Sequence, residues 1–169
     1  MDWGNELNRI FDRYTGAGGG AAAAPQDPHG DFQQVARSAP QEDVAGGISQ
    51  AMRSDQTPPF GKMAADLFGQ SNPQQQSGLL NRLISAVGPG ASSLPGLGSL
   101  AGLLGGHVTP EQAAQVRPEE VQQLAAHAEQ KNPSVVDEVS RFYSQHPDVV
   151  KALGGMALAI AIQHIARRR

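Results

Sequence analysis

The chain contains no cysteine among its 169 residues. Disulfides, thiolate zinc sites, iron–sulfur clusters and cysteine nucleophiles are therefore excluded. Aromatic residues make up only 5% of the chain, and 13 basic residues face 16 acidic ones, giving a formal net charge of −3. This charge balance is poorly suited to neutralising nucleic-acid phosphates, so we expect no nucleic-acid partner.

Motifs that carry catalysis or bind cofactors are also missing. The sequence contains no GxxxxGK[ST] phosphate loop, no GxGxxG after a strand and no GxSxG nucleophile elbow. No two histidines have the i, i+3 or i+4 spacing of metal ligands on one helix face; the five are His29, His107, His127, His146 and His164. We therefore predict no catalytic, cofactor-binding or metal-binding residue, and a protein that is not an enzyme.

Glycine and proline, by contrast, are abundant, with 20 and 12 copies. Most glycines lie in two stretches, which predicts a flexible Gly/Ala/Pro linker over 15–30 and a Gly/Leu-rich linker over 88–106. The linkers separate an N-terminal helix over 1–14, a first helical half over 31–87 and a second helical half over 107–169.

Most prolines precede runs with helical apolar spacing, where a proline loses no hydrogen bond that the helix needs. Seven prolines have this position: Pro40, Pro58, Pro73, Pro110, Pro118, Pro133 and Pro147. Capping residues support four of these starts, namely Thr57, Asn72, Thr109 and Asn132. No alternating run long enough for a strand appears, so the sequence predicts an all-α fold, a bundle of about seven to eight short helices.

The first 14 residues carry the clearest functional pattern. Five apolar or aromatic residues at positions 0, 4, 7, 8 and 11 form one helical stripe: Trp3, Leu7, Ile10, Phe11 and Tyr14. A helix of this length is marginal in water by itself, so the stripe needs a surface to fold against. That surface is the chain's own bundle, a groove on a partner protein or, less in keeping with the mixed charges of the polar face, a membrane surface.

The C-terminal segment 149–166 is apolar nearly all round and is followed by three arginines. Its uninterrupted apolar part covers about half of the roughly 20 residues that a membrane span needs. A buried core helix is therefore favoured, with a marginal membrane anchor as the alternative.

The runs TPPFGKMAADLFGQSNP, QQQSGLLNRLISAVGPG with LAGLLGG, and TPEQAAQVRPEEVQQLAAHAEQKNPSVVDEV resemble the small helical bacterial proteins of the YidB-like group. The resemblance covers roughly 31–139. It implies a bacterial, soluble, all-helical domain of unknown role and assigns no functional residue.

These features predict a non-enzymatic interaction or assembly protein that docks through the N-terminal stripe into an apolar groove of a protein partner. Self-assembly is the other association we expect, because small glycine-rich bundles expose apolar surface. A protein held at a membrane by its C-terminal helix, and an enzyme with an unrecognised site, are the alternatives. No basic and apolar leader opens the chain, so we expect a cytoplasmic location.

Overall fold

The structure is a computed structural model that describes residues 3–15, 27–88, 102 and 106–168; within 3–15 it describes the side chains of 5 and 7–12. The described residues form ten α-helices, eight of them ten residues or longer, and no strand, which confirms the all-α prediction. The helices are α1 Trp3–Thr15, α2 Pro28–Ser38, α3 Gln41–Arg53, α4 Phe60–Gln70, α5 Pro73–Val87, α6 Pro110–Ala113, α7 Pro118–Lys131, α8 Val135–Ser144, α9 Pro147–Val150 and α10 Gly155–Arg167. A 3₁₀ turn, Lys151–Leu153, joins α9 to α10.

Proline marks many of the helix starts, as predicted. It occupies the first turn of α5, α6, α7 and α9. Asn72 forms a complete capping box, because its Oδ1 accepts from the Gln75 amide at 2.8 Å while Gln75 Oε1 accepts from the Asn72 amide at 3.0 Å. Thr109 and Gln112 form the same box at the start of α6.

Other predicted starts are displaced. Pro40 lies one residue before α3, whereas Pro58 and Pro133 lie two residues before the next helix. Thr57 caps no helix start: its hydroxyl donates to the Ser54 carbonyl at 3.0 Å and to the Ala51 carbonyl, so it closes the end of α3.

The predicted linker over 15–30 is shorter than expected, because helices extend into both of its ends. Thr15 is the last residue of α1, and α2 begins at Pro28. Asp27 provides the cap, since its Oδ1 accepts from the Gly30 amide at 3.0 Å. Residues 16–26, like 89–101 and 103–105 of the second predicted linker, lie outside the described part of the chain.

The chain divides into two compact units, one drawn from Met1–Thr57 and Ser140–Arg169 and the other from Pro58–Val139. This division differs from the predicted halves, because the second unit takes residues from both sides of the 88–106 segment. Within it, Asn81 on α5 holds the chain that enters α6: its side-chain amide donates to the Val108 carbonyl at 3.1 Å and accepts from the Val108 amide at 2.9 Å.

In the first unit, α10 packs along α3 and also contacts α2. Its inner face consists of Ala157, Leu158, Ala161, Ile162 and Ile165, all at most 1% exposed. Small residues allow the two backbones to approach, since a Cβ on Gly47 of α3 would lie 2.7 Å from the Ala161 carbonyl oxygen.

The predicted continuous C-terminal helix is interrupted. Residues 149 and 150 belong to α9, the 3₁₀ turn follows, and Gly154 adopts φ +88° before α10 begins. Only glycine enters this left-handed region readily, so Gly154 sets the break. None of the helices in the described ranges is long and apolar enough to cross a membrane.

Candidate functional site

The apolar stripe of α1 is the first candidate site. The backbone of all five predicted residues is helical, as their spacing requires. Leu7, Ile10 and Phe11 are buried, with 8%, 2% and 6% of their surface exposed. The side chains of Trp3 and Tyr14 lie outside the described part of the structure, so the described stripe consists of three residues.

Leu7, Ile10 and Phe11 are buried within the first unit, in which α1 contacts α10 and α2. We call the surface of α2 and α10 that α1 covers the α1-binding surface. Asn5, Asn8, Arg9 and Asp12 are exposed. The helix therefore buries one face and exposes the other, as the amphipathic pattern predicted.

Of the alternatives that the sequence left open, this conformation has the fold-back arrangement, with the stripe on the chain's own bundle. The physical reason is the marginal stability of a short isolated helix, which burial of three large apolar side chains offsets. A role of the same side chains in binding a partner stays a prediction.

A polar cleft of about 330 Å³ lies elsewhere in the first unit, between the end of α3 with its following turn and one face of α10. Its lining comprises Gln50, Ser54, Asp55, Gln56, Ile160, Gln163, His164 and Arg167. Sequence reasoning missed this group and found only that His164 has no second histidine at metal-ligand spacing. No spacing rule connects the two segments, because they are far apart in the chain and meet only through the packing of α10 on α3.

The electrostatics of the cleft centre on His164. Burial lowers its pKa below the ordinary value of 6.5, and the neighbouring Arg168 lowers it further, while Asp43 acts in the opposite direction. Arg168 and Asp43 are themselves an ion pair, with Nε and Oδ1 3.6 Å apart. His164 is therefore mostly neutral at pH 7.

The cleft combines a carboxylate, a guanidinium, a hydroxyl and three amides, with Ile160 as its apolar residue. Binding sites for small molecules are usually lined mainly by apolar groups around a few polar ones, and this cleft has the reverse composition. Across the described residues, no group of three or more His, Asp or Glu side chains is placed to hold a metal ion.

Comparison with protein-family models, with curated proteins and with solved structures finds no match to this chain. The likeness of 31–139 to YidB-like proteins therefore stays a prediction.

Proposed function

We propose that this protein is a non-enzymatic helical interaction or assembly protein, an adaptor, cargo or structural component of the cytoplasm, and that α1 is its docking element. The proposal is supported most by one observation: the amphipathic helix α1 buries Leu7, Ile10 and Phe11 against two helices of its own unit.

Burial of Leu7, Ile10 and Phe11 stabilises the docked position of α1, and the free energy involved is small enough for the helix to be released. Full burial of a large apolar side chain stabilises by about 1.5–3 kcal/mol, and ordering a short helix offsets much of that gain. A short helix that packs on the surface of a unit opens at a cost below that of unfolding the whole unit. Release of α1 would then present the stripe to a groove of another protein.

The composition of the connection supports the same function. Residues 16–27 comprise four glycines, five alanines and one proline, with Gln26 and Asp27. A sequence of this kind is typical of tethers, because it has no side chain able to anchor a core. A tethered helix searches for its binding surface at a raised local concentration, as docking peptides do.

Site-specific photo-crosslinking in the full chain tests this function. A benzoylphenylalanine replaces Phe11, which is 6% exposed, and in a matched control it replaces the adjacent Asp12, which is exposed. In an extract of the cells that make the protein, we expect crosslinks from position 11 to another polypeptide chain, and far fewer from position 12.

A second variant checks that the capture depends on the stripe. Leu7→Ala in the position-11 background removes one anchor and should lower the yield of the intermolecular crosslink. Crosslinks from position 11 that join only to α2 and α10 of the same chain, in extract and in purified protein at about 1 mM alike, would contradict the proposed function.

A further inference from the structure

We infer that the partner of α1 is a second copy of this chain, whose α1-binding surface receives the helix in reciprocal exchange. This inference rests on the proposed function, and it specifies the occupant that the docking helix meets. The α1-binding surface is covered in both arrangements, by its own helix in the closed monomer and by the helix of the partner copy in the exchanged dimer.

The first reason is self-complementarity. Each copy carries both the helix with Leu7, Ile10 and Phe11 and the surface of α2 and α10 that buries them. A second copy therefore offers the same contacts without any new surface, which is how exchange of an identical element yields dimers at low cost.

The second reason is the place of α1 in the chain. The helix ends at Thr15 and α2 begins at Pro28, so twelve residues join them. Their fully extended length is about 40 Å. This length allows α1 to leave its surface while α2 keeps its place in the fold.

The third reason is that the start of α2 is fixed. Asp27 caps α2 by accepting a hydrogen bond from the Gly30 amide. Pro28 packs beside Gly155 at the start of α10, because a Cβ added to Gly155 would lie 3.4 Å from the Cγ of Pro28. An exchange that keeps this anchored start of α2 must therefore redirect the chain before Asp27.

The concentration of the chain decides between the closed monomer and the exchanged dimer. A short tether gives its own helix an effective concentration on the order of 1 mM. At about 10 µM chain, roughly a hundredfold lower, the closed monomer should prevail, and exchange should increase as the chain concentration approaches the millimolar range.

Deleting residues 16–26 tests the inference in the full-length protein. The deletion leaves Asp27 as the single residue between α1 and α2, whereas packed helix–helix connections have at least about two residues. The helix can then no longer turn back onto its own unit, but it still reaches the surface of a second copy. We expect light scattering to show a dimer at about 10 µM, with affinity for the dimer raised at least about a hundredfold over the natural chain.

Two variants serve as controls. Replacement of 16–26 by a Gly/Ser segment of equal length should stay monomeric at the same concentration, because the reach of the tether is preserved. Ile10→Asp in the deletion background should return the protein to a monomer, because it places a charge in the apolar contact. Hydrogen exchange in α3 and α10 reports whether each variant has kept its fold.

A deletion variant that keeps the protected α3 and α10 but stays monomeric overturns the inference, as does a dimer that survives Ile10→Asp. Crosslinks from position 11 to a different protein, with a monomeric deletion variant, would remove the second copy as partner and leave the proposed function standing. The absence of any intermolecular crosslink from position 11, both in extract and in purified protein at a chain concentration of about 1 mM, would instead remove the function itself.

Discussion

Replacing Gly47 with alanine places a methyl group in the contact between α3 and α10, the helix that carries part of the α1-binding surface. The new Cβ would lie 2.7 Å from the Ala161 carbonyl oxygen, and 3.1 and 3.2 Å from two side-chain carbons of Ile165. The Ile165 carbons belong to a side chain that can change its rotamer, but the carbonyl oxygen belongs to the backbone of α10. The two helices must therefore move apart to accept the substitution.

Two opposing terms set the magnitude. Alanine in a helix interior is favoured over glycine by about 1 kcal/mol, whereas overpacking a close contact costs about 1–3 kcal/mol. With a backbone atom as the obstacle, we expect the upper part of that range and a net loss of about 1–2 kcal/mol in the free energy of unfolding. For a chain of this size the melting temperature should fall by about 2–8 °C.

Urea unfolding followed by circular dichroism measures this loss. Gly69→Ala is the matched control, because Gly69 also lies in a helix but an added Cβ there meets no atom within 4 Å. It should leave stability unchanged or raise it by up to about 1 kcal/mol. A Gly47→Ala protein at least as stable as the natural chain would refute the close packing of α3 on α10.

Three further changes test other parts of the structure. Asn81→Ala removes both hydrogen bonds to the Val108 backbone and should cost about 1–3 kcal/mol in urea unfolding, because a buried amide is left unpaired. Asn72→Ala removes the cap of α5 and should cost about 1 kcal/mol in the same assay. Because folding lowers the pKa of His164, the unfolded chain takes up its proton first, so stability present above pH 6.5 is lost as the pH falls toward the folded-state pKa. His164→Gln should flatten this part of the stability profile, and an unchanged slope would contradict it.

The features that the sequence predicts well are local ones. The spacing of Leu7, Ile10 and Phe11 defines the buried face of α1, and the pairs Asn72–Gln75 and Thr109–Gln112 mark two helix starts, because capping and amphipathicity depend on residues three or four positions apart. Local chemistry also explains the misplaced starts: Thr57 has the right residue type for a cap, but its hydroxyl bonds to the preceding helix end.

The features that the sequence does not predict depend on contacts between distant segments. The second unit includes residues on both sides of the Gly/Leu-rich segment because α4 packs on α7 and α5 packs on α6 and α7, with Asn81 bonded to Val108. The cleft around His164 exists because Gly47 lets α10 pack closely on α3. The break before α10 requires a positive φ, which Gly154 adopts. The spacing of apolar residues does not indicate which of Gly154 and Gly155 adopts it.

Native-state hydrogen exchange of the full chain tests the central claim, that α1 is a releasable docking helix. In low urea, the amides of α1 should exchange through an opening that costs several kcal/mol less than the opening of α3 and α10. Ile10→Ala should lower the protection of α1 alone, whereas Asp12→Ala, at an exposed position, should leave it nearly unchanged. Exchange of the α1 amides only through global unfolding, together with α3 and α10, would contradict the account, because α1 would then be a fixed part of the core.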